Sequence, residues 1–279
     1  MKCPNPNFVW PKGRVIAVPC GKCLACLSNK RYDWSCRIME EQKVSSSAMF
    51  VTLTYSEKYL PNCGVVKRHL QLFFKRLRKK CPKIRYYAVG EYGSITRRPH
   101  YHIILFNGNE NAVRSEWTLF NKVRNRREPI GIVHIGQVTE ASVQYCTKYV
   151  IQKNDFPEGL NPSFALMSRG YGLGLSYLSD AMVAWHRNAD RLYMVKYGQK
   201  LRLPRYYKEK IWPNSTWSDW AYRREETFKK GRMEADKKER ENLEALKNEG
   251  VKNPEQFVES TRRALLARVK SKTSFTQHL

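Results

Sequence analysis

Acidic residues are in short supply in this chain. Against 51 Lys and Arg stand 25 Asp and Glu, a formal net charge of +26 over 279 residues. Such an imbalance says little about fold but selects partners, because a surface of this sign attracts polyanions. The deficit is uneven. Residues 1–220 hold 36 basic against 15 acidic side chains, whereas residues 221–279 hold 15 against 10. The polyanion footprint therefore belongs to the body, and the end of the chain reads as a mixed-charge, solvated helical tail. Nine basic residues fall from Lys67 to Arg85 without one acid between them, a pattern that also suits a plain solvated helix face.

Long apolar runs are missing too. No stretch approaches the roughly 20 apolar residues of a membrane span, and Met1-Lys2-Cys3-Pro4-Asn5-Pro6 opens no signal-peptide core. The expectation is a soluble protein, with no membrane partner, in a reducing compartment. There the eight cysteines favour metal binding over disulfides. No internal repeat is present. The glycine-rich run Arg169 to Gly174 lacks the strand before and the helix after that a dinucleotide site needs, and reads as a flexible loop able to close over DNA.

What is there suggests one catalytic domain with appendages: a Cys-rich segment 1–46 leading into a helix from Ala25 to Lys43, a central domain 47–217, and a charged helical tail 218–279. Strand-like patterns occur over residues 48–55, 84–89, 101–106 and 131–138. Leu70, Phe73, Phe74 and Leu77 recur at helical spacing, which predicts an amphipathic helix over 67–80 with a basic outer face. Further helices are expected over 115–124, over 140–153 with Thr139 as N-cap, and over 180–193, with a loop over 161–177. Strands broken by helices make this an α+β protein, with a mainly antiparallel central sheet flanked by helices.

Two short pieces carry the chemistry. In His100-Tyr101-His102 the strand alternation puts both imidazoles on one face with Tyr101 behind. Paired histidines also occur as hydrogen-bonded core residues, but a carboxylate, Glu91, ends the preceding strand. Were the two strands a hairpin, Glu91, His100 and His102 would form a metal site with open positions for a substrate oxygen; His134 is the other candidate third ligand. In Tyr145-Cys146-Thr147-Lys148-Tyr149, helical spacing sets the two tyrosines side by side with Lys148 close by, where its charge would favour a phenolate. A metal and paired tyrosines in a basic protein point to tyrosyl attack on a DNA phosphodiester. Separately, Cys20, Cys23 and Cys26, with Cys3 or Cys36 as a fourth, suit a structural Zn²⁺ site; an iron–sulfur site or plain reduced cysteines are the alternatives. Arg97, Arg98 and Tyr92, with Lys75, Arg78 and Lys79 on the basic helix, suit phosphate contacts and base stacking.

Taken in order, Phe50-Val51-Thr52-Leu53-Thr54-Tyr55, then Arg98-Pro99-His100-Tyr101-His102-Ile103-Ile104-Leu105-Phe106, then Tyr145 to Tyr149 resemble the three motifs of rolling-circle replication initiators, the HUH endonucleases. The likeness is nearest to the initiators of small single-stranded DNA phages, the microviruses of gokushovirus type. Pro19-Cys20-Gly21-Lys22-Cys23 and Leu203-Pro204-Arg205-Tyr206-Tyr207 also look like that group, and the resemblance spans about residues 1–210. It implies a catalytic Mg²⁺ or Mn²⁺ on His100, His102 and Glu91, and attack by Tyr145 or Tyr149 on origin DNA. It further implies a 5′-phosphotyrosine, a free 3′-hydroxyl primer, strand rejoining, host helicase and DNA polymerase as partners, and action in the cytoplasm of a bacterial host. A non-catalytic, zinc-stabilised single-strand-binding protein, or a transposase or relaxase with the same chemistry, remain the rival readings.

Overall fold

The computed structural model describes residues 3–10, 15–93, 95–149, 156–213 and 219–275. It divides into two compact units, one built from residues up to Ser176 and one from Tyr177 to Ser274. That boundary falls inside the stretch read from sequence as one central domain.

The first unit is organised by a five-stranded sheet in the order β8-β3-β5-β4-β9, every neighbouring pair antiparallel. Its strands are β3 (Ala48–Thr54), β4 (Arg85–Tyr92), β5 (Pro99–Phe106), β8 (Val133–Gln137) and β9 (Phe164–Met167). A small hairpin, β1 (Asn7–Val9) with β2 (Ile16–Val18), precedes helix α1 (Leu24–Val44). Helix α2 (Lys67–Lys80) lies between β3 and β4, and α4 (Glu140–Lys148) follows β8. The order confirms an α+β fold with an antiparallel centre.

Strand alternation divides the core in two. Val51, Leu53, Tyr86, Ala88, Tyr101, Ile103 and Leu105 point to one face and are covered by Leu70, Phe73, Phe74 and Leu77 of α2. Burying each of those four α2 side chains contributes roughly 1.5–3 kcal/mol, enough to fix the helix despite its cationic outer face. Tyr87, Val89, Ile104 and Phe106 point to the other face. There they meet Ile38 and Trp34 of α1 and Val143 and Cys146 of α4. The N-terminal helix is thus part of the sheet's own core. It also holds α4 directly: Arg31 Nη2 donates to the Gln144 carbonyl at 3.1 Å, and the Ser35 and Thr147 hydroxyls meet at 3.0 Å in the interior.

Several local expectations give way. Residues 115–124 are not one helix: α3 (Glu110–Glu116) ends early, and β6 (Thr118–Asn121) pairs with β7 (Arg126–Pro129). The hairpin is held by Glu128, which accepts from Lys58, Tyr59, Asn121 and Arg124, contacts with no local signature. The expected loop over 161–177 contains β9, an edge strand. The glycine-rich run is pinned rather than free: Leu173 is fully buried, Arg37 Nε donates to its carbonyl at 2.9 Å, and Gly174 N–H donates to Glu41 at 2.7 Å. Helix α4 ends at Lys148, and residues 150–155, which include the end of the expected 140–153 helix, lie outside the described residues.

The second unit holds α5 (Asp180–Asn188), the hairpin β10 (Tyr193–Lys196) and β11 (Gln199–Arg202), α6 (Arg205–Ile211), and most of the long helices α7 (Asp219–Asn248) and α8 (Pro254–Phe275). Tyr197 and Gly198, with φ of 51° and 73°, make the tight hairpin turn. Among the described residues no helix is long and apolar enough to cross a membrane.

Gly131 marks a point where the main sheet tolerates no side chain. A Cβ there would lie 1.8 Å from the Thr54 carbonyl oxygen, between the backbone bonds Thr54 N–H to Ile132 O (3.0 Å) and Ser56 N–H to Ile130 O (2.8 Å). Gly131→Ala is therefore expected to lower unfolding free energy by about 1–3 kcal/mol, measured by denaturant titration of the full chain; an unchanged midpoint would contradict the close approach.

Candidate metal and tyrosine centre

Strand register builds the centre. β4 and β5 pair with Glu91 directly opposite His100 and Val89 opposite His102, while β3 sets Thr52 opposite His102. Directly paired residues share a face, so Glu91, His100, His102 and Thr52 all project toward α4. Glu91 is 1% exposed and His102 7%. His134 shares the face but is paired with Thr52 on the far side of β3, one strand farther from His102. The group of possible ligand atoms within 4.8 Å of one another comprises Glu91, His100 and His102.

Both imidazoles converge on one carboxylate oxygen. His100 Nε2 lies 2.9 Å and His102 Nε2 3.0 Å from Glu91 Oε1. The opposite nitrogens are held from behind: His100 Nδ1 meets the Arg98 carbonyl at 3.0 Å, and His102 Nδ1 meets Thr52 Oγ1 at 3.0 Å. A carbonyl can only accept, so His100 Nδ1 carries the hydrogen, and the neutral ring presents a bare Nε2 to a carboxylate. Lone pair against lone pair at 2.9 Å is repulsive unless a proton or a cation lies between them. His102 Nε2 and Glu91 Oε2 are moreover buried without a hydrogen-bond partner, and such orphaned atoms are costly in a native interior. Two bare imidazole nitrogens and a carboxylate form a donor set that a divalent cation fits, with second contacts already fixing the rings.

The charges agree with this. Burial works to raise the Glu91 pKa, but the two adjacent imidazoles outweigh it and hold the group below the ordinary carboxylate value. Burial pushes His102 down, against the pull of Glu91, which favours the neutral, ligating ring.

Helix α4 brings in the tyrosines. Thr139 caps it, its hydroxyl accepting from Ser142 N–H at 3.2 Å while Ser142 Oγ accepts from Thr139 N–H at 2.9 Å, a reciprocal capping box. Tyr145 packs its ring 4.8 Å from that of His102, edge to face, and its hydroxyl donates to Glu91 Oε1 at 3.4 Å. Tyr149 lies just past the helix end but keeps helical backbone angles (φ −65°, ψ −14°), so its ring remains 6.0 Å from that of Tyr145. Lys148 is 2% exposed, and its Nζ sits 3.9 Å from the Tyr145 ring centre and 5.0 Å from that of Tyr149. Burial lowers the Lys148 pKa while Glu91 partly restores it. Burial, and then the Glu91 charge, raise the Tyr145 phenol above its ordinary value.

The remaining residues singled out from sequence are placed as follows. Cys3, Cys20, Cys23 and Cys26 form a second convergent group. Arg97 is exposed at the β4–β5 turn, and Arg98 pairs with Glu57 and donates to the Tyr55 carbonyl at 2.8 Å. Lys75, Arg78 and Lys79 lie on α2, which covers the sheet face opposite the histidines; they do not border this centre. Tyr92 does not suit base stacking. It is 7% exposed, and its hydroxyl donates to the Asn161 carbonyl at 2.6 Å and accepts from Val65 N–H at 3.1 Å. Thr52, which orients His102, and Phe50, stacked on His102 at 5.4 Å, are not singled out by the sequence. Their alternation in Phe50-Val51-Thr52 is visible there, but the register that brings them to His102 is not.

Comparison with known proteins matches this arrangement to a family. The family model for the replication-associated proteins of ORF2 type covers residues 48–155, the span that holds the sheet's first strands, the histidines and the tyrosine helix. The chain is 31% identical over 233 residues to replication-associated protein ORF2 of Spiroplasma virus 4, covering 74% of this chain and 70% of that protein. It is 27% identical over 216 residues to replication-associated protein VP4 of Bdellovibrio phage phiMH2K, covering 70% and 67%. Against replication-associated protein ORF4 of Chlamydia phage 1 it is 25% identical over 213 residues, covering 69% and 53%. No solved structure matches. With its antiparallel sheet, its paired histidines and these relatives, the chain belongs to the phage replication-associated proteins, the rolling-circle initiators of microvirus type.

Proposed function

We propose that this protein nicks single-stranded DNA at a viral origin, leaving a 5′-phosphotyrosyl link and a free 3′-hydroxyl that primes rolling-circle synthesis, and afterwards rejoins the ends. The observation that carries the reading is the crowding around one oxygen. Glu91 Oε1 is met by His100 Nε2 at 2.9 Å, His102 Nε2 at 3.0 Å and the Tyr145 hydroxyl at 3.4 Å. Candidate metal ligands and candidate nucleophile therefore meet at a single point.

Glu91, His100 and His102 would hold a divalent cation, Mg²⁺ or Mn²⁺, which when bound supplies Lewis-acid polarisation of the scissile phosphate. The attacking tyrosine gives up its hydroxyl proton and forms an Oη–P bond. The P–O3′ bond breaks, and the departing 3′ oxygen takes a proton to become the free hydroxyl. One phosphoester bond is made for one broken, so rejoining needs no outside energy source. A phenol of ordinary pKa, about 10, is roughly one part in a thousand ionised at neutral pH, and Tyr145 is harder still to ionise. Lys148, 3.9 Å from its ring centre, opposes that by stabilising phenolate and phosphate charge. Tyr149, one helical turn away, is placed to attack a regenerated origin while Tyr145 still carries the strand. The 3′-hydroxyl is a substrate for the host DNA polymerase, and the duplex ahead calls for a host helicase.

Denaturing gels of single-stranded origin oligonucleotides, incubated with Mn²⁺, test this. Tyr145→Phe with Tyr149→Phe should leave no covalent adduct, and His102→Ala should lower nicking by at least about a thousandfold. Wild-type nicking by the double tyrosine variant would end the proposal. Lys148→Met keeps the length of the side chain and removes a buried charge. It should leave stability within about 1 kcal/mol of wild type while slowing nicking at least tenfold, read as single-turnover rate beside a denaturant titration; an unaltered rate would remove Lys148 from the mechanism.

A further inference from the structure

We propose that Cys3, Cys20, Cys23 and Cys26 together hold one structural zinc ion that fixes the start of α1, the helix against which the tyrosine helix rests. Their sulfurs all lie within 4.8 Å of one another, with Cys3 to Cys23 at 3.7 Å and Cys20 to Cys26 at 4.0 Å. Four thiolates about 2.3 Å from a tetrahedral zinc are separated by about 3.8 Å from each other. All four are free thiols, and a disulfide would need sulfurs about 2.05 Å apart. An iron–sulfur cluster binds its thiolates through separate irons and spreads them farther apart than a single ion does.

The backbone is arranged for thiolates. Cys20 N–H points at Cys3 Sγ (3.4 Å), Cys23 N–H at Cys20 Sγ (3.3 Å) and Cys26 N–H at Cys23 Sγ (3.5 Å). A neutral thiol is a weak acceptor, whereas a thiolate draws such donors strongly. Gly21, at φ +75°, makes the left-handed turn between Cys20 and Cys23. Cys23 is at once a candidate ligand and the N-cap of α1, so its negative charge would lie at the positive end of the helix.

A second observation calls for such a staple. The β1–β2 hairpin has three residues in each strand, β1 is exposed along its length, and Phe8 and Trp10 are 55% and 67% exposed. A ribbon of this size has no core of its own and is marginal in water. A metal that clips Cys3, ahead of the hairpin, to Cys20 and the start of α1 supplies what apolar burial does not. From there α1 runs to Arg31 and Ser35, which grip Gln144 and Thr147 of the tyrosine helix. The ion would act as a positioning device, remote from the reacting atoms.

The inference stands independently of the nicking chemistry and is tested by metal content. Full-length protein, purified without added metal and dialysed against EDTA, should retain about one zinc per chain. His100→Ala with His102→Ala should retain it equally, as should Cys36→Ser, whereas Cys20→Ser with Cys26→Ser should lose roughly nine-tenths or more. Because the double cysteine variant could fail to fold, wild-type protein is also exchanged with Co²⁺. Intense visible absorption with sulfur-to-cobalt charge transfer is the expected signature of a tetrahedral tetrathiolate site. Folded wild type without zinc and with a weak octahedral cobalt spectrum would overturn the proposal. So would bound iron, or zinc that leaves with the histidines instead of the cysteines.

Discussion

The pairing register of β4 against β5 is the constraint on which the centre depends. It sets Glu91 opposite His100 and, through the two-residue alternation of β5, brings His102 to the same carboxylate oxygen. A slip of one residue would turn both histidines into the α2-covered core and put Tyr101 in their place. The register is held from both faces: Tyr87, Val89, Ile104 and Phe106 pack on α1 and α4, while Tyr86, Ala88, Ile103 and Leu105 pack on α2. Core and chemistry are two consequences of one alignment.

Around that alignment charge is placed where it is costly. Glu91 and Lys148 are nearly excluded from water, and an isolated buried charge is strongly disfavoured. Each is tolerated through neighbours: imidazoles and a phenol around the carboxylate, two aromatic rings and the more distant carboxylate around the ammonium. Orphaned Glu91 Oε2 and His102 Nε2 show that the protein's own groups do not complete the arrangement. A divalent cation and a phosphodiester would supply positive and negative charge in the places that lack them.

Much of this is legible in the sequence because period-two and period-3.6 patterns survive into structure. The His-x-His strand, its division of faces, the amphipathic α2 and the Thr139 cap can all be read locally. What escapes depends on contacts distant in sequence. Nothing near Glu128 announces that Lys58 and Tyr59 will hold it, so the local pattern predicts helix where the β6–β7 hairpin begins. β9 is four residues long and gains its identity by pairing with β4. Counting cations on α2 cannot tell which face of the sheet they will flank, and aromatic composition cannot tell that Tyr92 is buried.

The central claim is that Glu91, His100 and His102 present a phosphodiester to the tyrosines of α4. Peptide mapping of a nuclease-trimmed protein–DNA adduct by mass spectrometry tests it most directly. The account predicts a nucleotide mass on Tyr145 or Tyr149, formed with Mn²⁺ and absent when Glu91 is replaced by Ala. An adduct on any other residue, or one formed equally well by the Glu91→Ala variant, would contradict it.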